Sequence, residues 1–198
     1  AGCGAPTPGT TRTHADNDNS GDTNDPVNTR TGELYKQFDP DLQLGGPMPL
    51  YFSRFYASLQ KQVGISANMG SNWRHNFDWR VLVLGDSMHI INHQGRTIQF
   101  DWNGAEWVLT GKTDINYQLV VDASSYKLYD PRGYRSYDFD LSGKLTAVTD
   151  NRGNIHTLSY TDGLLASVSD GLGRVLGLTY DSSNRVSSVY DGLGRTSV

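Results

Sequence analysis

A single cysteine, Cys3, among 198 residues rules out a disulfide framework, because one thiol has no partner within the chain. No run approaches the roughly 18 to 20 consecutive apolar residues that a membrane-spanning helix requires. Nor does any stretch place apolar residues at i, i+3, i+4 and i+7, so little helix is expected. Charge is sparse and mixed. With a net charge of −4 and arginines scattered among aspartates, the chain offers no electrostatic footing for nucleic acid. No serine or cysteine can be assigned as a nucleophile beside a base, so neither an enzyme nor a catalytic cofactor is expected. Glycine and tyrosine are abundant instead, at 22 and 11 residues, and they go with turns and sheets.

The turns recur at a fixed period. An Asp is followed three residues later by a Gly at Asp130/Gly133, Asp150/Gly153, Asp170/Gly173 and Asp191/Gly194, with steps of 20, 20 and 21 between the aspartates. Each turn is preceded by a short β-branched run such as Lys144–Asp150, Leu164–Asp170 or Arg185–Asp191. The turns at Asp150 and Asp170 are followed by the period-two runs Asn154–Tyr160 and Arg174–Tyr180, giving strand, turn, strand. The Asp side chain can accept a hydrogen bond from the backbone two residues on, and Gly in fourth place can take a positive φ. The other ends of the units, Asp140–Gly143, Thr161–Gly163 and Asp181–Asn184, carry the same turn chemistry. Connections this short allow only antiparallel neighbours, so the predicted fold is all-β, an antiparallel meander of hairpins. One such unit cannot bury its apolar face without neighbours, which makes the role architectural.

These residues resemble the YD repeats of bacterial Rhs proteins and the related teneurins. The resemblance rests on Tyr137-Asp138 with Gly143, Leu145 and Val148, on Asp170-Gly-Leu-Gly-Arg174, on Tyr180-Asp181, and on Tyr190-Asp-Gly-Leu-Gly-Arg195; Tyr160-Thr161 departs from the pair. Upstream, Asp25–Gly32, Leu44-Gly-Gly-Pro-Met-Pro-Leu50 and Gly70–Phe77 are similar to the module that precedes the repeats in Rhs proteins. The resemblance implies a β-shell wall that, in full length, encapsulates and helps deliver a C-terminal toxin domain. The implied partners are the rest of the shell and that toxin, and the implied location is secreted or on the bacterial surface. A rival reading is a surface protein that binds carbohydrate by stacking Tyr137, Tyr160 and Tyr180 on sugar rings. Ladder packing of the same rings is the plainer alternative. The last strands, Ser182 to Val198, are expected to present an open edge prone to self-association.

The chain divides into a lead-in over 1–24, a β module over 25–110 and the repeat sheet over 111–198. The lead-in has almost nothing to bury and is expected to be disordered. Its start at Ala1, with no initiator Met, is expected of a processed or excised segment. Ala1-Gly2-Cys3 resembles the end of a lipoprotein signal in which the Cys is lipidated; the alternative is an incidental thiol. Asp16, Asp18, Ser20 and Asp22 alternate as oxygen donors do in a calcium loop. The twelfth position is Val27 rather than a carboxylate, and a solvated acidic linker is the competing interpretation.

In the module, Leu50, Phe52, Arg54 and Tyr56 are expected on one strand face and Tyr51, Ser53, Phe55 and Ala57 on the other. Arg74, His75 and Asp78 invite a catalytic reading. The stronger expectation is a hydrogen-bonded His among buried aromatic rings. His89 and His93 lie along a strand, where four residues span about 13 Å, too far for one metal ion. A further hairpin turning at Asn103-Gly104 is expected to extend the same sheet.

Overall fold

A computed structural model describes residues 27–28, 31–62, 64, 67–111 and 114–197. Cys3 and the calcium-loop residues Asp16, Asp18, Ser20 and Asp22 lie outside the described residues. Every regular element described is a strand, and every pairing is antiparallel.

The module opens with β1 (Val27–Asn28), β2 (Glu33–Gln37), β3 (Leu42–Gly45), β4 (Leu50–Phe52), β5 (Arg54–Ala57) and β6 (Trp73–His75). Strands β1, β2, β5 and β6 form one sheet, from which the β3-β4 hairpin projects as a separate two-stranded unit. The predicted continuous strand over 50–57 is therefore broken at Ser53. The buried positions shift from Leu50 and Phe52 to Ser53, Phe55 and Ala57. The reason is that the two halves serve different cores. Leu50 and Phe52 join the main one, while Phe55 and Ala57 join Tyr35 in a small second one.

Next come β7 (Arg80–Leu84), β8 (Ser87–Ile91), β9 (Thr97–Trp102) and β10 (Trp107–Leu109), which form a four-stranded meander of their own. The Asn103 hairpin extends the sheet that carries the strand at Met88, as expected. This sheet and the repeat sheet are joined in backbone pairing by an isolated bridge between Arg80 and Lys144, and Val81, Met88, Ile90, Ile98 and Phe100 pack in the same core as the repeat sheet.

The repeats build one nine-stranded sheet in strict chain order. Its strands are β11 (Gln118–Val121), β12 (Ser125–Asp130), β13 (Arg135–Asp140), β14 (Leu145–Asp150), β15 (Ile155–Thr161), β16 (Leu164–Ser169), β17 (Val175–Tyr180), β18 (Val186–Tyr190) and β19 (Thr196–Ser197). Period-two sequence becomes a two-faced sheet: along β15, Ile155, Thr157 and Ser159 are exposed while His156 and Leu158 are buried. The buried face packs against the module in one shared core that joins Leu50, Phe52, Phe77 and Trp79 to Phe139, Leu145, Val168 and Leu176.

Each turn is organised by its leading Asp. The Oδ1 atoms of Asp130, Asp150, Asp170 and Asp191 accept from the backbone N–H two residues on at 2.9, 2.9, 2.8 and 2.8 Å. In the last three the same oxygen also accepts from the N–H four residues on. Gly153, Gly173 and Gly194 take φ of +83°, +93° and +98°. Gly133 does not follow them. In that turn Tyr134 occupies the left-handed region, at φ +48°, because Asp130 pairs directly with Arg135 and the loop closes one residue differently.

The repeat register also differs from the sequence reading. A β-bulge recurs at Asp138/Phe139, Ser159/Tyr160 and Thr179/Tyr180, so Phe139, Tyr160 and Tyr180 are equivalent positions. Tyr137 instead corresponds to Leu158 and Leu178, each opposite a Val in the next strand. At the bulge, the Tyr160 and Tyr180 hydroxyls donate to the carbonyls of Leu145 and Leu165, both at 2.8 Å.

Candidate functional site

The seam between module and repeat sheet gathers several buried polar groups, among them Arg74, His75, His156, Asp170 and Asp191. Along one rim, the turns reach up to the β3-β4 hairpin. Arg174 Nε donates to Asp170 Oδ2 at 2.6 Å, and its guanidinium lies so close over Gly46 that a Cβ there would sit 2.8 Å from Nη2. One repeat later, Arg195 Nε donates to Asp191 at 2.6 Å while its Nη1 donates to the Gln43 carbonyl at 3.2 Å. His156, on β15, bonds the Met48 carbonyl through Nε2 at 3.1 Å. A carbonyl only accepts, so the proton of this imidazole is on Nε2. Gly46 of the Leu44–Leu50 motif and its neighbour Gln43 thus meet the arginines of the two Asp-Gly-Leu-Gly-Arg turns.

At the opposite rim the module's backbone joins the sheet directly. The Val81 N–H donates to the Gly143 carbonyl at 2.8 Å. A Cβ on Gly143 would stand 2.1 Å from the Val81 oxygen. The Asn68 Nδ2 donates to Asn184 O at 2.8 Å, and Val186 N–H donates to Asn68 O at 2.7 Å.

Between the rims lies the segment from Arg74 to Arg80. Arg74 is fully buried. Its Nη2 donates to the Asp78 carbonyl at 2.6 Å and stands 3.2 Å from Asp78 Oδ1. Burial lowers its pKa, with the charge of Asp78 opposing that shift. His75 packs against Phe52 and Phe77, and its Nδ1 accepts from the Phe77 N–H at 3.3 Å. Burial keeps this ring toward its neutral form. The structure therefore brings Arg74 and Asp78 together and gives His75 a backbone donor. Among the described residues, none of the hydrogen bonds of these three side chains engages a serine or cysteine.

Two cavities flank Phe77 and Trp79. The smaller, of about 60 Å³, is lined by Tyr51, His93, Arg135, Tyr137 and His156, among others. There Trp79 stacks on Tyr137 at 4.0 Å between ring centroids and contacts His93 at 5.7 Å. Burial and the positive charges of Arg74, Arg135 and Arg96 hold His93 down at about 4. His156 is also lowered, chiefly by burial, and burial raises Tyr137 to about 12. The larger cavity, of about 200 Å³, is lined by Asn68, His75, Asp78, Arg80, Lys144 and Tyr180, with Phe77, Trp79 and Tyr160 among its rings. Burial raises Tyr180 to about 12.

His89 sits on β8 and His93 in the turn after it, so they share no site. The described residues hold no cluster of three or more metal-ligating side chains, and no helix among them is long and apolar enough to cross a membrane. Sequence reasoning passed over Asn68, Arg80 and Lys144. Each comes from a different segment, and no local pattern joins them.

Residues 24–100 match a family described as a domain of unknown function, DUF6531, and residues 160–196 match the RHS repeat. No curated protein matches the chain.

Proposed function

We propose that this chain, an Rhs-type YD-repeat protein, serves as a wall of a β-shell whose inner face its own N-terminal module caps, and that the full shell encloses and helps deliver a C-terminal toxin domain. The observation that carries this reading is the nine-stranded sheet, laid down in strict chain order with one face shared in a common core with the module. Such a sheet grows by adding hairpins, and β19 leaves its last described edge with backbone groups free to pair. A secreted or cell-surface setting belongs to the same proposal.

The three tyrosines favour this over a sugar-stacking surface. Tyr137 is buried beneath Trp79, and Tyr160 and Tyr180 spend their hydroxyls on main-chain carbonyls. A ring committed in this way is ladder packing.

Limited proteolysis of the protein encoded by the intact reading frame tests the enclosure. A C-terminal domain inside the shell resists protease, and the double variant Arg174→Ala/Arg195→Ala, which loosens the hairpin cap, exposes it. Digestion of that domain in the unaltered protein at the rate of a free domain would sink the proposal.

A further inference from the structure

One rim of the repeat sheet carries a surface chemistry that the wall does not use. The turns opened by Asp130, Asp150, Asp170 and Asp191 join β12 to β13, β14 to β15, β16 to β17 and β18 to β19. In an antiparallel sheet laid down in chain order all of them stand at the same end, with neighbours two strands, or roughly 10 Å, apart. Each turn keeps its anion inside and shows a cation. The Asp191 side chain has no exposure while that of Arg195 is 55% exposed, and Arg132 and Arg174 stand out from Asp130 and Asp170 in the same way. The cause is the turn itself, because the carboxylates point inward to accept its backbone N–H groups. In the second turn Asn154 takes the other oxygen of Asp150, and the exposed Arg152 makes no ion pair among the described residues. Neither these turns nor the hairpin over 42–52 that meets them contains another acid.

Leucine stands at the tips of the last two turns, where the first two have Arg132 and Arg152. Leu172 is 62% exposed and Leu193 84%, the highest value for any large hydrophobic residue described. The glycines on either side of each leucine have positive φ and no neighbour within 4 Å of where a Cβ would stand, so each leucine projects from a narrow tip. We infer that this rim docks peripherally on an anionic lipid surface, with Leu172 and Leu193 entering the boundary between headgroups and acyl chains and Arg152, Arg174 and Arg195 facing lipid phosphates. Charge selects the anionic surface, since the rim turns guanidinium outward and carboxylate inward. Shape selects lipid over protein. A folded partner would need a matching pocket for each projecting tip, whereas a fluid bilayer deforms around them. One signal alone, apolar or cationic, gives marginal and reversible attachment, so the docking depends on both residue types. It does not depend on an enclosed toxin.

Co-sedimentation of the chain with vesicles of phosphatidylcholine, and of phosphatidylcholine mixed with phosphatidylglycerol, is the test. Binding to the mixed vesicles is expected, weakened by added salt and about tenfold stronger than to phosphatidylcholine alone. The double variant Leu172→Ser/Leu193→Ser should bind the mixed vesicles about tenfold less tightly or worse, and Arg152→Gln about fivefold less tightly. Leu141→Ser, which alters an exposed leucine in a turn at the opposite rim, should bind as the unaltered chain does. All of these side chains are exposed, so the melting temperature of the free protein should hold in every variant. Absence of binding, equal binding to both vesicles, indifference to the leucine pair, or an equal loss in Leu141→Ser would overturn the inference. Retention on immobilised poly-L-glutamate without vesicle binding would also overturn it and assign the rim to an acidic protein instead.

Discussion

Two glycines with the same backbone conformation do different work. Gly173, at φ +93°, has open space where a Cβ would go, whereas Gly143, at φ +83°, has the Val81 carbonyl oxygen 2.1 Å away. A side chain on Gly173 meets only the left-handed penalty, so Gly173→Val costs on the order of 1 to 2 kcal/mol. Gly143→Ala meets that penalty and also pushes the module's β7 off the sheet. We expect it to cost about 3 kcal/mol or more. Denaturant unfolding of the two variants checks the order, and a smaller loss for Gly143→Ala would mean that the β7 contact is not formed. The Asp-x-x-Gly spacing marks both glycines as turn residues. It does not distinguish them, because the neighbour that makes Gly143 irreplaceable lies 62 residues away in the chain.

At the scale of the hairpin, strand positions were legible because side-chain alternation has a period of two whatever the tertiary context. The predicted runs 154–160 and 174–180 match β15 (Ile155–Thr161) and β17 (Val175–Tyr180) to within a residue. Register was less legible. An extra residue at each bulge shifts the pairing by one, so Tyr137, two residues short of the bulge position, read as a repeat tyrosine when Phe139 holds that place. The bulge tyrosines have a measurable task. Replacing Tyr160 or Tyr180 by Phe removes one hydrogen bond to a half-buried carbonyl and is expected to cost about 1 kcal/mol each. The two losses should add in the double variant, as the bonds share no partner. Phe139 shows that the fold accepts a ring without the hydroxyl, so these variants should keep their strand signal in circular dichroism while melting earlier.

Across the whole molecule, the seam is where acid should act first. His93, His75 and His156 all have pKa values below the ordinary histidine value, mainly through burial. A histidine held neutral in the fold binds its proton more readily in the unfolded chain, so stability falls as pH drops below about 6.5, the unfolded value. For His93 the fall is complete near pH 4. The shift there corresponds to at most about 3 kcal/mol. The turn aspartates act in a separate window. Asp150, Asp170 and Asp191 have lowered values, so their contribution is present above about pH 4, the unfolded value, and is lost only below it. Unfolding free energy measured from pH 7 to pH 4 should therefore decline, and His93→Gln should flatten the decline. An unchanged slope in that variant would remove His93 from the account.

The sequence alone determined the class of architecture. A turn every 20 residues with alternating strands between leaves no solution but an antiparallel meander, because turn chemistry and the pleat are local properties. It also determined the kinship of the repeats and the module, which rests on short contiguous motifs. Only the tertiary structure decided how the two parts meet. The pairing of Gly46 with Arg174, the approach of Val81 to Gly143 and the cavity shared by Asp78, Arg80 and Lys144 each join residues distant in the chain. Such contacts depend on which sheet each strand enters and on where the bulges fall. Those outcomes are settled by packing one shared core, and no spacing within a single segment encodes them.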